Sequence, residues 1–596
     1  MKTYRSREDV PTSEKWDLTD LFETVDDWEK AYQSIENKVE QLRSFEGSID
    51  DGQTLYRYLK LEEDVRIEFK KLYVYAMLSV DIDTKDTNAQ ALLDRAKQLS
   101  VKITSSTAFF MPFLLSLEEE MLKRYIESEK RLTYFEKELF DAYRYKNHVL
   151  NKDQEQILSE LGDALSAPSY TFSMINNADI QFGTVTTESG EKVELTRGMY
   201  AKRIKDKNRS VRKEAYRAYY KPYIALKNTI ASTLSAAIKN NVTIARLRNY
   251  RSALEKALFA DRIPTDVFEH LIATTRANLA PLHKYEQIRK EFLRVDELRA
   301  YDLNVPLVEE RNDEISYDDA FETMLKSLAP LGDEYVETLR RFKEMRYFDV
   351  RETPGKRSGA YNIGVYGVHP FVLLNFHDDL NSLFTLVHES GHAMHSWYSA
   401  KFQPPIHASY SIFVAEVAST VNEILLIRYL LNETDDKERR KYLLNYFIDS
   451  FKGTFFTQVM FSEFEQRTHE KAERGEPLNA DVFCQIYEEL FQAYHSDLLV
   501  CDDEVKYGWA RIPHFYRPFY VYKYATGYAA ALYIADRIFH GDEQLRNRYL
   551  QFLKSGRSDY PLPLLQKTGV DLTKPEFFEE TMRIFTRLVD EFAAYY

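Results

Sequence analysis

Apolar residues recur at three- and four-residue spacing through residues 55–78, 89–107, 117–127, 132–145 and 153–165. That period predicts a succession of amphipathic helices. It breaks at residues 180–195, where β-formers flank Glu188-Ser189-Gly190-Glu191 and predict a hairpin. This places a domain boundary near residue 196, with a helical N-terminal domain (1–195, ending in the hairpin) and a second domain (196–596). Helical spacing resumes over 199–258. Ile263-Pro264-Thr265 then supplies a turn and an N-cap for a helix from Asp266 that runs to about residue 294. Residues 300–307 read as a short linker or strand, and 317–328 and 334–344 as helices. The pattern changes again over 351–376, which holds Gly355, Gly359, Gly364 and Gly367 with Pro354 and Pro370. Between them, 361–363 and 371–376 predict a two-stranded sheet with glycine-rich turns. Helices follow to the C-terminus. The predicted class is mostly α: a large multi-helix fold with one small sheet beside the candidate site.

Composition sharpens this. Glycine and proline are scarce (19 and 18 of 596 residues) while tyrosine and phenylalanine are abundant (42 and 37), which favours aromatic-rich helices over a sandwich or barrel. A net charge of −14 disfavours a nucleic-acid backbone or an anionic membrane as partner. No uninterrupted apolar run approaches the length of a membrane span. The first twenty residues are charged and lack a signal-peptide core. Two cysteines, Cys484 and Cys501, argue against a disulfide framework and fit a reducing compartment. The expectation is a cytoplasmic protein of undetermined oligomeric state.

The candidate chemistry lies at Phe384-Thr385-Leu386-Val387-His388-Glu389-Ser390-Gly391-His392-Ala393-Met394-His395. On a helix, residues four apart share a face, so His388 and His392 can grip one ion while Glu389 stands beside it and acts on a metal-activated water. Asn381 or Ser382 is the expected N-cap, Leu383, Leu386, Val387 and Met394 anchor the helix, and no proline interrupts residues 380–402. The five-residue pattern alone arises by chance in roughly a few per cent of chains this long, so the setting matters. Catalytic zinc takes three protein ligands and keeps one position open. The third candidate is Glu416, a carboxylate in the otherwise apolar or small run Ser411-Ile412-Phe413-Val414-Ala415-Glu416-Val417-Ala418-Ser419. Placed there it needs a cation, either the metal or a buried arginine. Glu423, two turns on, is placed to orient a ligand histidine. His395 is a rival third ligand, but one helical turn past His392 it would distort a tetrahedral site, which makes a packing role the better expectation.

These residues resemble the thimet oligopeptidase family, and within it the oligoendopeptidase F branch. The similarity rests on the metal helix, on the segment from Phe413 to Glu423, on Lys356-Arg357-Ser358-Gly359-Ala360-Tyr361 with residues 370–376, and on Pro513-His514-Phe515-Tyr516-Arg517-Pro518-Phe519-Tyr520-Val521-Tyr522-Lys523-Tyr524. It extends back to Trp16-Asp17-Leu18-Thr19-Asp20-Leu21-Phe22. The resemblance implies a helical fold enclosing a deep substrate channel, one Zn²⁺ per chain held by His388, His392 and Glu416, and endopeptidase action on short peptides. It also implies that His514, Tyr524 and Tyr520 serve catalysis as transition-state and substrate contacts. Gly359, Ala360 and Tyr361 are candidates for taking an extended substrate as an added strand, and Tyr516 is a further substrate contact. About half of the tyrosines over 507–528 are expected to be core aromatics. Two alternatives stand: an exopeptidase, for which Arg357, Lys506, Arg511 and Arg517 are available as a terminal clamp, and a non-hydrolytic peptide-binding protein of the same fold.

Overall fold

A computed structural model describes residues 4–186, 190–308 and 314–596. It is dominated by helices, with three small sheets among the described residues. Contacts divide the chain into two compact units. The first comprises Met1–Lys152, Asn312–Leu426 and Ile534–Thr568, and the second Asp153–Arg311, Ile427–Tyr533 and Gly569–Tyr596. Compactness thus divides the chain differently from the linear division at residues 195/196, because each core is shared by helices from three separated stretches.

The first unit opens with helices Val25–Arg43, Gly52–Ile82 and Thr87–Thr107, each started by a side-chain cap from Thr24, Asp51 or Asp86. Their apolar faces meet at Trp28, Tyr58, Leu72 and Leu99, all fully buried, and Trp28 Nε1 donates to the Leu72 carbonyl at 3.0 Å. One stretch, Thr87–Ser116, passes a length-and-composition test for crossing a membrane, although Asp94, Arg95, Lys97 and Lys102 interrupt it. Its Ala96, Leu99, Ile103 and Leu114 pack into this core.

The glycine-rich region forms a three-stranded sheet, one strand more than expected. Phe371–Leu373 lies in the middle, antiparallel to Tyr361–Ile363 and parallel to Phe348–Asp349. The added strand has two residues, too few to leave an alternation pattern. An ionic core locks the sheet. Lys356 Nζ lies 2.8 Å from Asp349 Oδ1 and donates to the carbonyls of Leu374 and Arg351 at 2.6 and 2.7 Å. Arg7 closes on the other side of Asp349. Beneath the sheet Trp16, Leu21 and Phe371 share a core, which gives the Trp16–Phe22 segment its structural role. Residues 132–145, expected as one helix, form Glu136–Tyr143 between two 3₁₀ turns.

In the second unit the expected hairpin forms, Thr184–Thr186 pairing antiparallel with Lys192–Glu194. Glu188 and Ser189 of its turn lie outside the described residues. The helical run expected over 153–165 breaks at Leu161 into Lys152–Glu160 and Gly162–Met174. Residues 300–307 follow a two-residue strand, Leu298–Arg299, which pairs with Leu499–Val500. The helix expected from Asp266 spans Thr265–Ala277, with Pro264 rather than Thr265 at the cap position.

Candidate metal centre

The motif lies on the helix Leu380–Phe402, as its spacing requires. The cap is Asp379, whose side chain accepts from Ser382 N at 2.7 Å. This corrects the expectation of Asn381 or Ser382. Ser382 instead uses its hydroxyl to accept from His377 N at 2.9 Å. Glu416 lies on the helix Ile412–Asn432. The two helices touch at Gly391: a Cβ there would sit 2.6 Å from the Ala418 carbonyl oxygen and from Ser419 Cα. Only glycine allows that approach, and the approach brings the carboxylate to the imidazoles.

Ligand atoms of His388, His392 and Glu416 lie within 4.8 Å of one another, the only such group of three among the described residues. Glu416 Oε2 is 3.5 Å from His388 Nε2 and 3.6 Å from His392 Nε2. The ring centroids of the histidines are 4.8 Å apart and their planes nearly perpendicular, at 82°. Phe413, Val414, Val417 and Ala418 around Glu416 are buried as expected, but Ile412 is exposed and the Glu416 side chain itself is 38% exposed. The carboxylate therefore faces an opening and is not sealed in a core. No arginine among the described residues pairs with it, which disposes of the buried salt bridge. Glu423 Oε1 takes a hydrogen bond from His388 Nδ1 at 2.6 Å, which orients Nε2 toward Glu416.

The electrostatics favour a cation. Burial acts to lower the His388 pKa, but the Glu423 hydrogen bond and the charges of Glu423, Glu389 and Glu416 outweigh it and lift it to about 9. Burial acts to raise Glu416, and the two histidines and Ser419 outweigh that and hold it at about 2. Glu389 is 7% exposed, and its Oε2 is buried with no hydrogen-bond partner among the described residues. Burial, reinforced by Glu416 and Glu423, raises its pKa. Two imidazole nitrogens, one carboxylate and a surrounding excess of negative charge suit a divalent ion of the zinc type.

His395 is not a fourth member. It is buried, stacks on Tyr410 at 3.7 Å and 4°, and burial drives its pKa down to about 3, so it packs as a neutral ring. Tyr410 was not foreseen. Asn362 Nδ2 donates to Ser396 Oγ at 2.9 Å, Ser396 and Tyr410 share a 3.0 Å hydrogen bond, and Tyr410 reaches the His392 carbonyl at 3.4 Å. This chain ties the sheet to the metal helix. A lone tyrosine before a helix leaves no sequence signal for such a role.

Of the strand residues, Tyr361 begins the edge strand of the sheet. Its hydroxyl donates to Asp81 Oδ2 at 2.6 Å, so its ring anchors the strand. The Gly359 carbonyl accepts from Asn375 at 2.7 Å, and Gly359 has a left-handed φ of 86° with open space around it. Ala360 lies between them.

His514, Tyr520 and Tyr524 belong to the second unit and form one ring cluster. Centroids are 6.2 Å apart for His514–Tyr520, 6.1 Å for His514–Tyr524 and 5.5 Å for Tyr520–Tyr524. Burial, then Arg517, lower the His514 pKa. Tyr516 does not join them. It stacks on Phe172 at 4.4 Å and its hydroxyl meets Thr233 Oγ1 at 2.7 Å. Tyr522 and Tyr528 are buried core rings against Phe268 and Phe451. The loop carrying the cluster is held from behind by a residue the sequence did not flag. Glu465, 1% exposed, accepts from Phe519 N at 2.9 Å, and Phe519 has a left-handed φ of 52°.

Fold and site together define a metallopeptidase. The comparisons agree. The family model "Peptidase family M3" matches residues 203–584, and "Oligopeptidase F" matches 114–182. Oligopeptidase PepF of Bacillus subtilis is 41% identical over 586 residues, covering 98% of this chain and 88% of that protein. A solved structure from Chlamydophila abortus superposes with a TM-score of 0.92 at 33% identity, covering 98% of this chain and all of the other. Oligoendopeptidase-F from Enterococcus faecium gives 0.74 at 33% identity, covering 95% and 98%. The chain belongs to peptidase family M3 and is a metalloendopeptidase.

Proposed function

We propose that this chain is a zinc-dependent endopeptidase of short oligopeptides, with one zinc held by His388, His392 and Glu416 and with Glu389 as general base. The carrying observation is the convergence of those three donors within 4.8 Å beside a glutamate whose buried Oε2 has no hydrogen-bond partner among the described residues. The bound ion would supply Lewis acidity, polarising the scissile carbonyl and easing deprotonation of a water. Glu389 takes that proton and later delivers it to the leaving amine, a role its raised pKa suits. Glu423 holds His388 in the tautomer that presents Nε2. His514, Tyr520 and Tyr524 offer N–H and O–H donors for the oxyanion. Gly359, Ala360 and Tyr361, at the start of the edge strand, take the substrate backbone as an added strand. The restriction to short peptides is supported by the names of the relatives, PepF being an oligopeptidase and the Enterococcus faecium protein an oligoendopeptidase. Cys484 and Cys501 are both free, which fits a cytoplasmic setting.

The test is an internally quenched peptide blocked at both ends, incubated with the protein with and without a chelator. Internal cleavage that the chelator stops and zinc restores is expected. Cleavage confined to unblocked peptides would replace this reading with an exopeptidase, and metal binding without cleavage of any peptide would replace it with a peptide-binding protein.

A further inference from the structure

Arg511 ends the 3₁₀ turn Val505–Arg511, just before the turn Pro513–Tyr516 that carries His514. It lines a recessed cavity of about 200 Å³ inside the second unit. Its Nε donates to the Tyr220 hydroxyl at 3.0 Å, its only hydrogen bond to a described residue, and no described carboxylate forms an ion pair with it. The side chain is half-buried, and a guanidinium on a cavity wall without a counter-charge favours an anion beside it.

The rest of the wall adds donors and no free negative charge. Tyr200, Tyr216, Tyr220 and Tyr487 line the cavity, and none of their hydroxyls donates to a described residue. Burial raises the pKa of Tyr200, Tyr216 and Tyr487, so these rings are neutral phenols and not phenolate partners. The other cation on the wall, Lys452, is paired with Asp449 at 3.2 Å, and Asp449 is shared with Arg289 at 3.3 Å. His495 is taken by Glu286 at 2.5 Å. The nearby carboxylates are therefore engaged, and Arg511 is left with its two terminal nitrogens uncompensated among O–H donors. The space exceeds that of several waters, at about 30 Å³ each.

We propose that this cavity is a binding site for a small monovalent anion, a halide or a small carboxylate, held by the Arg511 guanidinium and the surrounding tyrosine hydroxyls. The anion supplies the missing counter-charge and fixes the turn that presents His514. An arginine guanidinium is not deprotonated in proteins, so Arg511 stays charged at every pH where the anion would bind.

The test uses the full chain. Its thermal midpoint is followed against sodium bromide and, separately, sodium acetate, for the wild type, Arg511→Met and Tyr220→Phe. Crystals grown in bromide are examined for anomalous density. In the wild type the midpoint should rise saturably with at least one anion. Tyr220→Phe, which loses one hydrogen bond around a charged group, should need about tenfold more of that anion for half-saturation, and Arg511→Met should show only the unsaturating drift common to any salt. A bromide response comes with density beside the Arg511 terminal nitrogens. A response to acetate alone identifies a carboxylate as the occupant. The assignment is overturned if neither anion gives a saturable rise, if a bromide response comes with density elsewhere only, or if Arg511→Met responds like the wild type. Should Arg511→Met fail to fold, an unchanged half-saturation in Tyr220→Phe overturns it equally.

Discussion

The centre depends on residues that touch the ligands as much as on the ligands themselves. Glu423 fixes His388 through a 2.6 Å hydrogen bond. Glu423→Ala should therefore lower zinc affinity about 10- to 100-fold with the fold intact. Calorimetric titration with zinc checks this, and unchanged affinity would remove Glu423 from the account. At Gly391 the argument is steric. Gly391→Ala would place a methyl 2.6 Å from backbone atoms of the Glu416 helix, and overpacking of that kind costs about 1–3 kcal/mol. Urea denaturation should show the loss, and zinc affinity should fall with it because the helices must part. At this scale much was legible beforehand. A spacing of four on a helix is a local property, so His388 and His392 follow from sequence. Glu416 stood out as a carboxylate in an apolar run. Tyr410 and the Asp379 cap escaped: the first acts through a contact distant in sequence, and the second was lost among four nearby polar residues able to cap, Asp378, Asp379, Asn381 and Ser382.

At the scale of elements, Glu465 joins the helix Thr457–Glu473 to the loop carrying the tyrosine cluster. Burial raises its pKa well above the carboxylate range, and only the Phe519 hydrogen bond works against that. Packed around it, His469 lies against Phe519 at 4.7 Å with the rings tilted by 45°, donates from Nδ1 to the Glu465 carbonyl and meets Asn241 at 3.2 Å from Nε2. Burial lowers its pKa to about 4, so it brings no positive charge near neutrality. A carboxyl whose folded pKa exceeds its unfolded value binds its proton more tightly in the fold. Its contribution is complete below about pH 4.3, the unfolded value, and declines as pH rises toward the folded value. Glu465→Gln keeps an acceptor for Phe519 and removes the titration. The variant should gain urea midpoint over the wild type as pH rises from 5 to 8, and gain nothing at pH 4. A constant difference across that range would contradict the protonated carboxyl. Elements were readable where periodicity was long, as in Gly52–Ile82 and Thr87–Thr107. They were misread where a two-residue strand, Phe348–Asp349, or a 3₁₀ turn carries no period.

Over the whole molecule, the division into units was the least legible feature, since it is set by contacts hundreds of residues apart. Asp349 of the sheet is paired with Arg7, and Arg351 with Glu14 at 2.5 Å. A chain beginning at residue 196 loses these partners and leaves Asp349 with Lys356 alone and Arg351 with Asp378 alone, which weakens the buried charge network. The fragment 196–596 should bind zinc far more weakly than the full chain, and adding the fragment 1–195 should restore binding. Wild-type affinity in 196–596 alone would show the linear division to be the physical one. The class of the molecule, by contrast, was readable from few residues, because a metal site concentrates its chemistry in two short helical segments.

The central claim is that three side chains hold the ion and Glu389 moves the proton. The most direct measurement is the turnover of a doubly blocked peptide by Glu389→Gln, made on protein whose zinc content is determined in the same sample. The account predicts one zinc per chain and a kcat lower by about 10²–10⁴-fold. Turnover near the wild-type value at full zinc occupancy would contradict it.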